Sequence, residues 1–317
     1  MSELPAYVKD GNLYDGLGAV QLDGVNMHNF CLPADGAKLQ AWLDKTFLAP
    51  KGVKYRALGD RVFLGIAEIQ KLYLLNEHPS RGWTSEIDIT IWILAQREGE
   101  GGLALRWIPA YLFVDSGPAL CTGREVWGFP KQLGRFDFSP KGPDPAAART
   151  FAADGWVVDV YGPQSQAHWA PMFEVRPAAP VRREGILGSL EELGRKAVER
   201  LNGDLVSAAG RIQSAIGMGE MTMAFLKQFP DCANPNRACY QEVVEAKATV
   251  TGHSASGLTH DAYEVRVISY DSHPYLDELG ISSDWQQVGQ GFWMQFDFQQ
   301  DLGAVVRQAQ GADLHPR

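Results

Sequence analysis

Residues 123–134 read Gly-Arg-Glu-Val-Trp-Gly-Phe-Pro-Lys-Gln-Leu-Gly, and the lysine in this stretch poses the question that the rest of the chain answers. Pro130 fixes its own φ and drives Phe129 towards extended backbone, while Gly128 and Gly134 permit tight geometry on either side. Val126, Trp127, Phe129 and Leu133 surround Lys131 with apolar bulk. A lysine anchored in this way can be shielded from water, and burial disfavours the ammonium. At its reference pKa of about 10.4, a lysine is neutral at pH 7 only about once in 2,500 molecules. Bringing that value to about 7 takes roughly 4–5 kcal/mol of differential destabilisation. The product is an amine able to attack a ketone carbonyl and form a Schiff base. A surface lysine beside a turn is written with the same residues, so the flanking sequence has to separate the two readings.

Upstream, residues 61–70 alternate as a strand, with Val62, Leu64, Ile66, Glu68 and Gln70 on one face and Phe63, Gly65, Ala67 and Ile69 on the other. Residues 86–95 form a second strand, with Ile87, Ile89, Ile91 and Ile93 opposite Glu86, Asp88, Thr90 and Trp92. A glycine-rich hairpin at 97–102 leads into a third strand pattern. Asp115-Ser116 then starts a short helix predicted to run through Cys121, with the lysine loop after it. Farther upstream, residues 37–48 carry apolar positions near helical spacing behind Asp35, a plausible N-cap, and residues 1–33 read as short strands and turns.

Downstream, residues 139–150 are a Pro-, Gly- and Ala-rich connection, and strand character resumes at 156–162. Residues 176–183 read as a linker. After them, Ile186, Leu187, Leu190, Leu193, Ala197, Val198 and Leu201 mark one face of a helical segment near 183–202. Residues 239–300 are mainly strands, including 240–250, 262–270 and 291–298. Many strands with few long helices predict an α+β fold built on a mostly antiparallel sheet that closes on itself. With no internal boundary in evidence, residues 1–317 are expected to form one domain.

Composition narrows the class. The chain has 317 residues, 45% hydrophobic and 21% charged, with a formal net charge of −9, which fits a folded globular protein and argues against nucleic acid or an anionic membrane as partner. No run approaches the length of a membrane span, and the first residues lack the basic and apolar regions of a secretory signal. Cys31, Cys121, Cys232 and Cys239 form no C-x-x-C pair, as expected of reduced thiols in a cytoplasmic protein. No zinc, P-loop or dinucleotide motif occurs, so neither metal nor cofactor is expected.

Residues 111–136, YLFVDSGPALCTGREVWGFPKQLGRF, resemble the core segment of the acetoacetate decarboxylase family, in which Gly-Arg-Glu precedes an aromatic, a proline and the Schiff-base lysine. Residues 225–250, FLKQFPDCANPNRACYQEVVEAKATV, are similar to that family's late segment, and residues 61–95 match more loosely. The resemblance implies a cone-like antiparallel barrel with helices packed outside and the lysine projecting inward. It implies a Schiff-base-forming lyase that decarboxylates an acetoacetate-like β-keto acid through an iminium on Lys131. The alternatives are aldolase-dehydratase condensation of pyruvate with an aldehyde, and an inactive barrel that only binds a small ligand.

By resemblance, Glu86, in the context Trp83-Thr84-Ser85-Glu86, matches the family's active-site glutamate, and Glu68 matches a second carboxylate on the preceding strand. Trp127 and Phe129 are expected in the pocket wall, and Gln132 and His28 complete the expected substrate-binding set. Arg124 and Glu125 are expected to hold the loop by a carboxylate or backbone bridge. Tyr263, Tyr270 and His273 are further candidates for a proton donor. Two departures stand out: Gln132 replaces the family's second lysine, and residues 20–30 lack its early arginine, leaving His28 as the candidate cation there. Lysine activation then rests on desolvation. The expected partners are a small keto acid and further copies of the chain in a homo-oligomer.

Overall fold

A computed structural model describes residues 6–9, 17–76, 82–99, 104–179 and 219–306. Period-two alternation becomes twelve strands: β1 (Val20–Pro33), β2 (Tyr55–Ala57), β3 (Arg61–Leu74), β4 (Thr84–Arg97), β5 (Leu105–Val114), β6 (Lys131–Phe138), β7 (Phe151–Val157), β8 (His168–Ala178), β9 (Glu220–Pro230), β10 (Ala238–Val267), β11 (Gln286–Gln300) and β12 (Ala304–Val305). Among the described residues four short α-helices accompany them: α1 (Gly36–Leu43), α2 (Ala49–Lys51), α3 (Gly117–Thr122) and α4 (Tyr275–Leu279). None is long and apolar enough to cross a membrane.

Strand-rich architecture with few helices is as the sequence predicts. The twelve strands join one sheet, eleven of them in the order β2-β4-β3-β1-β11-β10-β8-β7-β6-β5-β9, with β12 pairing β10 off this path. Two further pairings, β4 with β5 and β9 with β10, lead the path back onto itself. Pairing is antiparallel except between β5 and both β6 and β9. The parallel β5–β6 step needs a crossover, and α3 with the turn behind it supplies it.

β3 and β4 bury apolar residues on both faces, so the sheet serves two cores. Val62, Leu64 and Ile66 of β3 join Ile89, Ile91 and Ile93 of β4 in one. Phe63, Ala67 and Ile69 join Leu94, Trp107, Trp127 and Phe129 in the other. Strands buried on both sides in this way read as nearly continuous apolar runs.

The elements depart from expectation in specific places. Residues 20–33 are one long strand, with a register shift between Leu22 and Val25 where Gly24 has φ +64°. Asp35 caps α1, its carboxylate accepting from the amides of Ala37 (2.8 Å) and Lys38 (3.1 Å). The helix passes into a π-helical turn over Asp44–Leu48. The strand expected at 156–162 instead occupies Phe151–Val157, because pairing with β6 and β8 and not local apolarity sets its limits. β8 extends through Ala178, into the stretch read as linker. The helical segment expected near 183–202 lies outside the described residues.

Candidate active site

The site begins with α3. Ser116 caps it, its hydroxyl accepting from the Ala119 amide at 3.3 Å. The helix continues through a π-helical turn over Gly123–Trp127 and ends at Gly128 in the left-handed region, φ +95°. The carbonyl of Gly123 accepts from the amides of both Gly128 and Phe129, each at 3.1 Å. What the sequence presents as a loop is therefore a tightened helical end, and it delivers Lys131 as the first residue of β6. Arg124 donates to the Lys131 carbonyl at 3.1 Å. Glu125 faces the Lys227 amine electrostatically.

Beside β5, Lys131 pairs with Leu112, and Leu112 pairs with Thr90 of β4. This register turns the Lys131 side chain towards the polar face of β4. Its Nζ donates to Glu86 Oε1 at 2.6 Å, with side-chain exposures of 10% and 2%. Asp88 lies two residues along the same face, accepting from the Thr90 hydroxyl at 3.3 Å. Burial first, and then the Glu86 charge, push the Asp88 carboxyl up to about 7, against the pull of Lys131. Near neutral pH, Asp88 is thus poised both to give and to take a proton.

Gly123 explains the invitation to lysine at this place. A Cβ there would lie 2.6 Å from Lys131 Cδ and 2.8 Å from Cε. The lysine stem therefore runs directly over the glycine backbone. Phe129 packs beside the ammonium, its ring centroid 5.5 Å from Nζ, and meets the Phe225 ring at a tilt of 52°, centroids 4.2 Å apart. Trp127 is pinned by donation from Nε1 to the Asp301 carbonyl, 2.8 Å.

Lys131, Glu86, Asp88, Thr90, Trp127 and Phe129 all line one cavity of about 550 Å³. Asp88 was not among the residues singled out from sequence, although its alternation with Glu86 places it on the same face. The signal was the strand period itself.

Glu68, His28 and Gln132 do not share this cavity, correcting the expected site. Glu68 lies on the opposite face of β3, ion-paired with Arg149 at 2.7 Å and accepting from Asn26 at 3.1 Å. His28 is buried on that same side, against Phe151, with Nε2 at 3.3 Å from the Pro145 carbonyl. Burial, with Arg149 nearby, lowers its pKa to about 4, so it is neutral at pH 7 and supplies no cation. Gln132 follows Lys131 in a strand and so points the other way, its Oε1 at 2.8 Å from His273 Nε2. Of the remaining proton-donor candidates, the Tyr263 hydroxyl accepts from the Arg149 amide at 3.0 Å and the Tyr270 hydroxyl donates to the Pro171 carbonyl at 2.7 Å. Neither lines the cavity.

A ring-like path of strands carrying an inward lysine beside a helical turn defines a recognisable class: the chain has the acetoacetate decarboxylase-like fold. Acetoacetate decarboxylase from Legionella pneumophila superposes with a TM-score of 0.53 at 13% identity, over 92% of this chain and 88% of its own. An acetoacetate decarboxylase-like enzyme from Sphingomonas wittichii RW1 gives 0.56 at 12% identity, over 97% and 100%. The enduracididine biosynthesis enzyme MppR, complexed with the condensation product of pyruvate and imidazole 4-carboxaldehyde, gives 0.53 at 13%, over 91% and 89%. At these identities the likeness is one of fold. No protein-family model and no curated protein sequence matches the chain.

Proposed function

We propose that the chain is a Schiff-base-forming carbon–carbon lyase that acts through Lys131. The observation that carries this reading is a buried amine at 2.6 Å from Glu86, with Asp88 beside it, inside a deep and largely apolar cavity. The ammonium gives up its proton to the ionised Asp88 carboxyl. Nζ then attacks a substrate ketone, and loss of water leaves an iminium. With a β-keto acid, the bond to the carboxylate breaks, carbon dioxide leaves, and the electron pair moves into the iminium to form an enamine. The proton that Asp88 took from the ammonium leaves with the carbonyl oxygen as water. Asp88 therefore draws a second proton from solvent and gives it to the α-carbon, and hydrolysis of the resulting iminium releases the ketone and restores the ammonium. Glu86 holds the amine in place before attack and faces the cationic iminium after it. In this reading the sheet works as a closed, cone-like barrel around the cavity, supported by strand pairings that return to their start.

One observation favours aldol-type chemistry as a second reading. Among the described residues lining the cavity, Lys131 is the sole lysine or arginine, and no histidine joins it. A substrate carboxylate finds no cation there beyond the reacting amine, which suits the enamine of an uncharged ketone attacking an aldehyde better than a donor that keeps a carboxylate, such as pyruvate.

Borohydride reduction in the presence of acetoacetate or pyruvate, followed by peptide mass mapping, tests the proposal. Ligand mass on the peptide containing Lys131 is the expected result. Modification confined to other lysines would show that the cavity only binds its ligand.

A further inference from the structure

The cavity is too large and too apolar for a small keto acid alone. At about 30 Å³ per water-sized group, 550 Å³ holds roughly eighteen such groups, and acetoacetate or pyruvate fills less than half of that. The lining positions of β4 run from Thr84 to Trp92, and at about 3.3 Å per residue that wall is about 26 Å long. Lys131 enters in the row of Thr90, but its Nζ reaches Glu86. The six residue steps of wall from Glu86 to Trp92, about 20 Å, run from the reacting amine towards the Trp92 end. One end is closed by an aromatic group, with Trp107 edge-on to Trp92 at 6.3 Å and to Phe63 at 5.2 Å. At the other end Trp83, 58% exposed, stands at the lip.

The material of the wall matters as much as its length. Four of the chain's seven methionines, Met27, Met221, Met223 and Met294, line the cavity. Unbranched thioethers adapt to irregular apolar shapes and recur at surfaces that accept varied ligands. Apolar cavities with a few convergent polar groups are the usual form of a small-molecule site. Here the carboxyls beside Lys131 are Glu86 and Asp88, while Glu220 and Gln300 line the cavity on β9 and β11. An anionic tail would meet carboxyls or the apolar wall, with no cation besides Lys131 among the described lining residues.

We infer that the substrate is a carbonyl compound carrying a bulky, uncharged apolar tail, which lies along the β3–β4 wall while its carbonyl reaches Lys131. The inference rests on the Schiff-base reading for the carbonyl end and on the cavity for the tail. Burying the tail supplies binding energy away from the reacting bond, which holds the carbonyl against the amine.

A homologous series of 2-alkanones from acetone to 2-undecanone tests it, trapped on Lys131 by borohydride and quantified by mass. The half-saturating concentration is expected to fall about three- to fourfold per added methylene, the ratio that corresponds to ~0.8 kcal/mol for each buried group. A flat or rising half-saturation beyond five carbons, with acetone still trapped, would overturn the apolar tail and leave the Schiff base intact. A parallel calorimetric series with the matching 2-alkanols, which have no carbonyl, reads the tail alone. If no ketone marks Lys131 while the alcohols bind more tightly with length, the Schiff-base reading fails and the apolar tail stands. Alcohols that show no gain with length overturn the inference regardless of the trapping result.

Discussion

At the scale of single residues, the lysine is held by what is missing beneath it. Gly123 has no Cβ, and the Lys131 stem occupies that space at 2.6–2.8 Å from where one would be. Gly123→Ala should therefore displace the amine from Glu86 and reduce borohydride trapping at least tenfold, while circular dichroism shows the fold retained. Unchanged trapping in that variant would mean that the stem has another path. Asp88 offers a pH test. Its folded pKa of about 7 exceeds the unfolded value of about 3.9, so the folded state keeps a proton that the unfolded chain has lost. Stability falls as pH rises between those values and levels off above about 7. Asp88→Asn removes this dependence. Urea unfolding should show the variant gaining on the native protein between pH 4 and pH 8 by about 1–2 kcal/mol, less than the full linkage because cavity water screens the site. Equal pH dependence in the two proteins would contradict the assignment. The same substitution should remove an inflection near pH 7 from the rate.

At the scale of elements, the helical end after α3 positions the site. Its turn is wound to place two amides, of Gly128 and Phe129, on the Gly123 carbonyl. Gly128 then reverses the backbone at φ +95°, and a Cβ there would lie 2.6 Å from Lys227 Cα in β9. The clash is with backbone, which cannot step aside as a side chain would. Gly128→Ala combines left-handed strain with that collision, and it should destabilise the protein by about 2–4 kcal/mol. Chemical denaturation measures this directly. A loss under about 1 kcal/mol would show that β9 moves freely relative to the turn. The lysine loop is thus readable as constrained from its glycines and proline, but its helical winding is not. Nothing in Arg124-Glu125-Val126 prefers a π-turn, which forms because α3 must end where β6 can pair with β5.

At the scale of the whole molecule, the two faces of the sheet do different work. The Lys131 cavity occupies one face, and a buried ion pair occupies the other. Glu68 meets Arg149 at 2.7 Å, with Arg149 4% exposed at its side chain. Burial alone would raise the Glu68 pKa, but the hydrogen bond and charge of Arg149 outweigh it and hold the carboxyl below its usual value. That stabilisation is present above about pH 4.5 and fades as pH falls through the depressed value. Glu68→Gln leaves a buried guanidinium without its counter-charge, and it should cost about 3–5 kcal/mol at neutral pH. Lys131 trapping in the folded fraction should be unaffected. A stable Glu68→Gln protein with impaired trapping would return Glu68 to the site.

Local sequence determined the alternating faces of β3 and β4, the caps at Asp35 and Ser116, and the constrained setting of Lys131, while the limits of β1, β7 and β8 followed from pairing. These depend on side-chain period and backbone chemistry within a few residues. The likeness of residues 111–136 and 225–250 to one family extended that reading to the fold. Only the tertiary structure decided which face of which strand meets which. Glu68 and Glu86 look alike in sequence, each a carboxylate in an apolar strand. Ile69 and not Glu68 pairs with Glu86 across β3 and β4, and residues adjacent in a strand point to opposite faces. One residue of register therefore sends Glu86 to Lys131 and Glu68 to Arg149. The same alternation turns Gln132 towards His273 and brings Asp88 into the cavity. Pairing register is set by contacts far apart in the chain, and for that reason the lysine was legible from its neighbours while its partners were not.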